Sequence, residues 1–352
     1  MVHTKRKALS QNIPLPDLGW SADFLRQLDI DEIGTLPPAR ITAVHRDRLD
    51  GLTEHGPVSL HPPSGLTTGE IAVGDWVLSD PDTGRATRLL DRKSLLHRRA
   101  AGEDARDQLI AANVDTLFIT TSLNADFNPA RLERYLALAY DAGVTPVFIL
   151  TKADLCTDTG PYLDELREIA PVAAAVALDA RDPGAADQLA DWCGKGQTIA
   201  VLGSSGVGKS TLVATLTGDA IATRGIREDD AKGRHTTTAR SFHRLSSGGW
   251  MIDTPGMRAL RLAGLENGID AVFADIGTLA EGCRFSDCQH DTEPGCAVKA
   301  AVEAGDLSTE RLNRWRKLKR EDARNSESIA EAHARDRAFG RMVREVTALK
   351  RT

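Results

Sequence analysis

The spacing of hydrophobic and polar positions divides the chain into regions of different character. Between residues 36 and 99, short apolar-rich runs alternate with turns that contain Gly or Pro, and strands are predicted at 40–46, 57–61, 70–80 and 85–91. Short strands separated by regular turns are typical of a small barrel. The preceding segment, 1–35, is polar apart from an apolar patch at 18–28, which predicts an arm with one short helix.

From about residue 109 the pattern changes to buried strands that alternate with amphipathic helices. Strands are predicted at 114–121, 172–178 and 197–203, and a further strand that runs into a loop at 145–155. Helices are predicted at 130–143, 161–170 and 209–218. This alternation indicates a mostly parallel sheet that is covered on both faces. A cysteine cluster and a charged helical region follow. We therefore predict an arm (1–35), a barrel (36–99), an α/β domain (100–275) and a metal-binding domain with a basic C-terminal helix (276–352).

Composition and charge narrow the function classes. The 352 residues include 41% hydrophobic and 27% charged side chains, and the net charge is −6. An acidic protein that binds nucleic acid must do so through a local basic surface. No apolar run approaches the length of a membrane span, and no apolar stretch follows the basic N-terminus as in a secretory signal. A cytoplasmic protein without membrane contact is expected, and nothing in the sequence requires an oligomer, so a monomer is expected.

A phosphate-binding loop is the strongest motif. The pattern G-x-x-x-x-G-K-S follows a predicted strand and opens a predicted helix. Its glycines let successive backbone N–H groups point at phosphate. Lys209 is expected to reach the β- and γ-phosphates during catalysis, and Ser210 is expected to bind Mg²⁺. The predicted nucleotide-binding residues of this loop are Gly203, Ser204, Ser205, Gly206, Val207, Gly208, Lys209, Ser210 and Thr211.

Two further motifs favour guanine nucleotides. Residues 151–154, TKAD, resemble the guanine-reading N-K-x-D signature, with Thr151 in place of Asn. A carboxylate at Asp154 would accept hydrogen bonds from the guanine N1–H and 2-amino group, and the stem of Lys152 would pack on the base. A plain surface turn is the alternative for this tetrapeptide. Residues 253–256 form D-x-x-G, in which Asp253 is expected at Mg²⁺ and the Gly256 N–H at the γ-phosphate.

The order of these motifs is unusual. In ordinary GTPases the phosphate loop precedes the guanine motif, whereas here the guanine motif at 151–154 comes before the loop at 203–210. A circular permutation explains this order, and such permutations are tolerated because the termini of compact domains often lie close together.

The segment 232–242 supplies candidates for a switch. Thr237 is the first choice for a second hydroxyl at Mg²⁺ and the γ-phosphate, and Thr236 and Thr238 are the alternatives. A Thr-rich strand edge would look the same, since Thr is favoured in strands.

Four metal-ligand side chains lie within 14 residues near the C-terminal region. Cys283, Cys288, His290 and Cys296 form C-x4-C-x-H-x5-C. Three thiolates and an imidazole are the closed ligand set of structural zinc sites. Buried free thiols are the alternative.

Together these motifs resemble the ribosome small subunit-dependent GTPase A family (RsgA, also called YjeQ). The resemblance rests on GSSGVGKST, KGRHTTT, DTPG and the cysteine–histidine cluster, and it covers about residues 36–320. It implies a multidomain α/β protein: an N-terminal OB-fold barrel, a circularly permuted P-loop GTPase domain and a C-terminal zinc-binding helical domain. It also implies GTP hydrolysis stimulated by the 30S ribosomal subunit late in its maturation, with 16S rRNA as a partner and GTP/GDP, Mg²⁺ and one structural Zn²⁺ as ligands.

Departures from the family pattern bear on mechanism. Met257 follows D-x-x-G, where Ras-like GTPases place a water-orienting Gln, so slow intrinsic hydrolysis is expected. His235 is the catalytic candidate for the missing polar group, with Arg234 as an alternative charge stabiliser and a backbone-bonding structural His as the other reading. The second guanine loop is assigned to Asp179-Ala180, a poor match to the usual Ser-Ala.

The C-terminal segment suggests contact with RNA. Residues 311–352 carry 13 Lys/Arg against 6 Asp/Glu, a net charge of +7 in an acidic protein. Such a helix suits rRNA phosphates, although a solvated charged helix would look alike. Other functions remain open at this point: a nucleotide-gated RNA-binding checkpoint with little stimulated turnover, or a P-loop kinase or ATPase with a zinc-stabilised tail.

Overall fold

The fold is described by a computed structural model that covers residues 12–99, 107–218, 241–253 and 264–325. The strands are β1 Pro38–Val44, β2 Leu49–Thr53, β3 Gly56–Leu60, β4 Trp76–Asp80, β5 Arg85–Leu89, β6 Leu95–Arg99, β7 Asp107–Ala112, β8 Thr116–Ser122, β9 Thr145–Thr151, β10 Ala174–Ala177, β11 Thr198–Gly203, β12 Ser241–Arg244 and β13 Trp250–Asp253. The helices are α1 Ala22–Leu25, α2 Pro129–Asp141, α3 Gly160–Ile169, α4 Ala185–Gln188, α5 Ala190–Cys193, α6 Lys209–Thr217, α7 Glu266–Val272, α8 Ala274–Ala280, α9 Ala297–Ala304 and α10, 309–325.

These elements form two compact units. The first takes the described residues within Met1–His97, Leu109–Tyr135 and Ala142–Ala259. The second takes those within Arg98–Gln108, Leu136–Asp141 and Leu260–Thr352. The domain boundaries expected from the sequence stay a prediction.

A five-stranded antiparallel barrel begins the first unit. Its strands run in the order β3-β2-β1-β4-β5, and a bridge between His61 and Arg85 joins the two ends. The inward-facing apolar side chains, among them Ile41, Leu49 and Val77, are fully buried. This confirms the OB-like barrel. The predicted strand 70–80 is wrong in its first half, because Asp75 accepts the Ala72 N–H at 2.7 Å and closes a turn there.

A six-stranded sheet follows in the same unit, in the order β10-β9-β8-β11-β13-β12. All its pairings are parallel except that of β12, which runs antiparallel on the edge. Because βαβ connections cover both faces, the central strands are largely buried, and every residue of β8 is buried, its three threonines and Ser122 included. The predicted mixed α/β class and its mostly parallel sheet are confirmed.

The N-terminal arm packs on the barrel and on β13. Its Leu18 and Phe24 are buried in one apolar cluster with Trp76 of the barrel and Trp250 of the sheet. The Trp250 indole N–H donates to the Asp17 carbonyl at 2.7 Å. The predicted arm helix is present but is confined to Ala22–Leu25, after a 3-10 turn at Leu15–Leu18.

The second unit includes the helices α7, α8, α9 and α10 and the loop between α8 and α9. Arg311 on α10 donates to the Asp275 carboxylate at 2.6 and 2.8 Å and lies over the Phe273 ring. Lys319 pairs with Asp270 at 2.7 Å. Some of the basic side chains of α10 therefore form ion pairs within the second unit. Among the helices that the structure describes, none is both long and apolar enough to cross a membrane.

Candidate nucleotide site and metal centre

The predicted phosphate loop lies at the carboxyl end of β11, where ligands bind in open α/β sheets. Gly203 ends the strand so close to β8 that a Cβ there would lie 2.2 Å from the Thr120 carbonyl oxygen. Gly208 adopts φ 95° at the start of α6, a left-handed conformation that favours glycine. Local sterics therefore favour glycine at both positions of the motif, and the loop leads directly into the helix N-terminus.

Lys209 folds back over its own loop. Its ammonium donates to the Gly203 carbonyl at 2.8 Å and also to the Ser204 carbonyl. Within the described residues, the buried Ser204 hydroxyl has no hydrogen-bond partner. A buried hydroxyl left unpaired is costly, so an acceptor such as a phosphate oxygen fits this position. Ser205, Gly206 and Ser210 are exposed at the same turn, and Val207 is buried beneath it.

The TKAD segment lies beside this loop. Thr151 is fully buried at the end of β9, and its hydroxyl is within hydrogen-bonding distance of the Val207 carbonyl and, at 3.1 Å, of the Thr121 carbonyl. Lys152 has φ 61°, a left-handed conformation that is uncommon outside glycine and often marks a functional turn. The carboxylate of Asp154 follows in a 3-10 turn. The hydroxyl of Thr151 therefore joins the guanine-motif strand to the phosphate loop.

The predicted second guanine loop is adjacent. The Ala153 N–H donates to the Leu178 carbonyl at 3.2 Å, and the Thr215 hydroxyl of α6 donates to the Ala180 carbonyl at 2.7 Å. Asp179 and Asp154 share a partner that the sequence did not single out, Arg181. The pKa of Asp179 is lowered by its hydrogen bonds from Arg181.

Asp253 ends β13, which pairs in parallel with β11, so its exposed side chain lies at the same edge of the sheet as the phosphate loop. Ser210 and Asp253 are oxygen ligands of the kind that Mg²⁺ prefers. Gly256, Met257, Arg234, His235, Thr236, Thr237 and Thr238 lie outside the described residues. Their predicted roles at Mg²⁺, the γ-phosphate and the attacking water stay predictions.

The four predicted metal ligands converge in the second unit. Their ligand atoms all lie within 4.8 Å of one another. The Cys283 and Cys296 sulfurs are 3.9 Å apart, and each is 3.5 Å from His290 Nδ1. A tetrahedral zinc ion with ordinary bond lengths requires about 3.8 Å between sulfurs and about 3.6 Å between sulfur and nitrogen. The donor set and its spacing therefore fit Zn²⁺, and burial lowers the pKa of His290, which favours the neutral, ligating form of its imidazole.

Two features missed from the sequence shape this metal loop. The Glu293 carboxylate accepts backbone N–H groups of Gln289, Asp291 and Thr292 at 2.9, 2.9 and 3.0 Å, and hydrogen bonds from the backbone lower its pKa to about 2. From α10, Arg316 donates to the His290 carbonyl and Trp315 packs against the His290 ring. The acidic residue between two ligands was the available signal.

Comparison with known proteins gives one consistent result. The RsgA GTPase family model matches residues 89–263. The "Small ribosomal subunit biogenesis GTPase RsgA" of Mesorhizobium japonicum is 56% identical over 89% of this chain and 91% of its own length. "Small ribosomal subunit biogenesis GTPase RsgA 2" of Vibrio parahaemolyticus is 48% identical over 97% of this chain and 95% of its own.

Solved structures agree on the fold. YjeQ from Thermotoga maritima aligns with a TM-score of 0.58 and 23% identity over 80% of this chain and 96% of its own. YloQ, described as a circularly permuted GTPase, aligns with a TM-score of 0.58 and 23% identity over 81% of this chain and 94% of its own. The permuted order read from the motifs is therefore that of a known fold.

Proposed function

Because this chain belongs to the RsgA GTPase family, we propose that its GTP hydrolysis is stimulated by the small ribosomal subunit and assists late 30S maturation. The chain is a GTP hydrolase with a role in small-subunit biogenesis. The P-loop kinase or ATPase alternative is wrong, since the family acts on GTP. A cytoplasmic monomer that binds the 30S subunit through 16S rRNA completes the proposal.

The observation that carries the nucleotide site is the junction at Thr151. This buried hydroxyl joins the guanine motif to the phosphate loop, so base and phosphates are held in one fixed relation. Asp154 then accepts from the guanine edge, and the loop N–H groups with Lys209 hold the phosphates. Ser210 and Asp253, with Thr237, would hold Mg²⁺, which neutralises charge on the β- and γ-phosphates when it is bound.

Hydrolysis is proposed to be slow without the ribosome. Met257 has a thioether where a side-chain amide would orient water, so this chain lacks a polar group at that position. His235 is proposed as the polar group that takes part in hydrolysis when the protein is bound to the small ribosomal subunit. His235→Ala is then expected to lower subunit-stimulated turnover and leave GTP affinity unchanged, and unchanged stimulated turnover would remove His235 from the mechanism.

Exposed positive charge on α10 supports contact with rRNA. Arg311, Arg316 and Lys319 have partners on other segments of the second unit. Lys317, Arg320 and Arg324 are exposed at i, i+3 and i+7 on one face, and Arg320 donates to the Arg316 carbonyl of the same helix. We assign rRNA phosphate binding to this exposed stripe. Replacing all three with Ala is expected to weaken 30S binding and to lower the salt dependence of log affinity by about 2 to 3. The matched control replaces Arg26, Arg167 and Lys195, which are exposed in the first unit.

The deciding experiment measures GTP turnover with and without 30S subunits, with ATP as a control. GTP-specific stimulation by the subunit supports the proposal. Tight GTP-dependent binding without stimulation would favour the remaining alternative, a nucleotide-gated checkpoint whose hydrolysis only resets binding. Asp154→Asn is expected to abolish the preference for guanine in either case, because an amide cannot accept both guanine donors.

A further inference from the structure

One guanidinium group sits between the two carboxylates of the predicted base site. Arg181 Nη2 donates to Asp154 Oδ2 at 2.7 Å. The same side chain donates to Asp179, from Nε to Oδ1 at 3.1 Å and from Nη2 to Oδ2 at 3.2 Å. Asp154, which is predicted to read guanine, therefore already has a cationic donor from the chain itself.

The backbone around Arg181 places this contact. The Asp179 carboxylate also accepts the Arg181 backbone N–H at 2.9 Å, which closes a tight turn. Both loops are anchored by the bonds Ala153 N–H to Leu178 and Thr215 hydroxyl to Ala180. The side chain therefore extends from a fixed turn toward a fixed carboxylate.

Guanine and the Arg181 guanidinium are both N–H donors for the Asp154 carboxylate. Guanine offers N1–H and its 2-amino group as two neighbouring donors. Arg181 donates to the same carboxylate through Nη2, while its Nε–Nη2 edge faces Asp179. We propose that Arg181 competes with the guanine base for Asp154, and that Asp179 retains Arg181 when the base displaces it. This inference rests on the guanine-reading role proposed for Asp154.

Competition from Arg181 lowers the guanine affinity of this chain below the value that its contacts with the base alone would give. Binding must break the Arg181–Asp154 pair, whose side chains are 64% and 27% exposed. Exposed pairs are weak and screened by salt, so the effect is modest. Asp179 reduces this cost because it keeps two of the three side-chain bonds of Arg181 after displacement.

The test measures equilibrium affinity for a fluorescent GDP analogue in four variants of the full chain. Arg181→Ala is expected to tighten binding about two- to fivefold, and less so at high salt. Arg167→Ala is the matched control, because Arg167 forms an exposed pair with Asp164 on α3, and it should bind as the unmodified protein does. Asp179→Asn keeps an acceptor for the turn but not the charge, and it is expected to weaken binding about twofold.

The double variant separates competition from a structural role. With Arg181 absent, Asp179→Asn should have no further effect, so the double variant should match Arg181→Ala. Weaker binding by Arg181→Ala would mean that Arg181 supports the base site, and unchanged binding would mean that it has no effect there. Either result overturns the proposal. If the unmodified protein binds no guanine nucleotide, the guanine-reading role of Asp154 fails instead.

Discussion

Thr151 occupies the position at which the predicted guanine motif usually has Asn. Thr151 is fully buried and contacts the Val207 carbonyl of the phosphate loop. Thr151→Val keeps the shape of the side chain and removes this donor. We expect guanine-nucleotide affinity to fall about three- to tenfold, the effect of losing one neutral hydrogen bond that positions the loop. Calorimetric titration with GDP measures it.

Thr198 provides the matched control for that substitution. It is a fully buried threonine at the start of β11 in the same sheet, and within the described residues its hydroxyl has no hydrogen-bond partner. Thr198→Val should leave GDP affinity unchanged and stability unchanged or slightly higher. Equal losses in both variants would mean that Thr151 acts through general packing and does not position the loop.

Single residues also show what the sequence could and could not predict. The phosphate loop and the four metal ligands follow from local spacing, since their side chains are close in the chain and need little tertiary information. Arg181 is 27 residues from Asp154, and its contact depends on the lengths of two loops after neighbouring strands. Glu293 was missed for another reason. Its place between two metal ligands is a signal in the sequence, but the backbone N–H groups that it binds are common to all residue types except Pro.

Two elements, the arm and the barrel, are joined through a buried arginine. Arg40 of β1 is 1% exposed, and its guanidinium donates to the Leu18 carbonyl of the arm and, at 3.0 Å, to the Asn113 carbonyl that follows β7. Burial lowers the pKa of Arg40 to about 10, so it remains charged at neutral pH. Carbonyl dipoles and the faces of Trp76 and Phe242 stabilise this charge, and within the described residues only the buried Nε of the guanidinium has no hydrogen-bond partner.

Arg40→Met is therefore expected to destabilise the first unit by about 2–4 kcal/mol, because two buried carbonyls lose a charged donor. Urea unfolding followed by tryptophan fluorescence measures the change, since Trp76 and Trp250 lie in the same cluster. Arg26→Met, at a side chain that is 77% exposed, is the control and should change stability little. An equally small effect at Arg40 would show that arm and barrel are held by apolar contacts alone.

Strands were predicted correctly in the buried sheet and less well in the barrel, where the hydrophobic pattern is weaker. β8 and β11 are almost entirely buried at the centre of a parallel sheet and match their expected positions closely. The strand β2, LDGLT, was missed because Gly and Asp weaken its pattern, although the barrel pairs it on both sides. Tertiary pairing overrides local propensity in such short strands.

The loop between α8 and α9 depends on one acidic side chain. Glu293 accepts three backbone N–H groups from the segment that carries His290, and these bonds hold its carboxylate ionised. Glu293→Ala removes them while leaving all four proposed ligands in place. We expect zinc release to a chelator to become about tenfold faster, as for other residues that orient ligands. Glu281→Ala, on an exposed residue before the first ligand, should release zinc at the original rate.

In the whole molecule the proposed zinc ion and the proposed nucleotide belong to different compact units, each with its own contacts. Because four ligands within a short loop cannot bury a core of their own, an ion bound there would supply much of the stability of that loop. The hydrogen bond from Arg316 to the His290 carbonyl and the ring contact of Trp315 with His290 extend this dependence to α10. The six-stranded sheet has a buried apolar cluster that involves none of these residues.

Removing zinc with a chelator is therefore expected to act unequally on the two units. Amide exchange should accelerate by at least about tenfold in 283–296 and in α10, and remain slow in β8, β9 and β11. GDP affinity should be retained, while binding to 30S subunits should fall, because the exposed stripe Lys317, Arg320 and Arg324 loses its fixed helix. Hydrogen exchange and subunit co-sedimentation on the same chelated sample measure both effects. Loss of GDP binding together with zinc would mean that the metal supports the nucleotide site, and unchanged 30S binding would mean that α10 does not carry the rRNA contact.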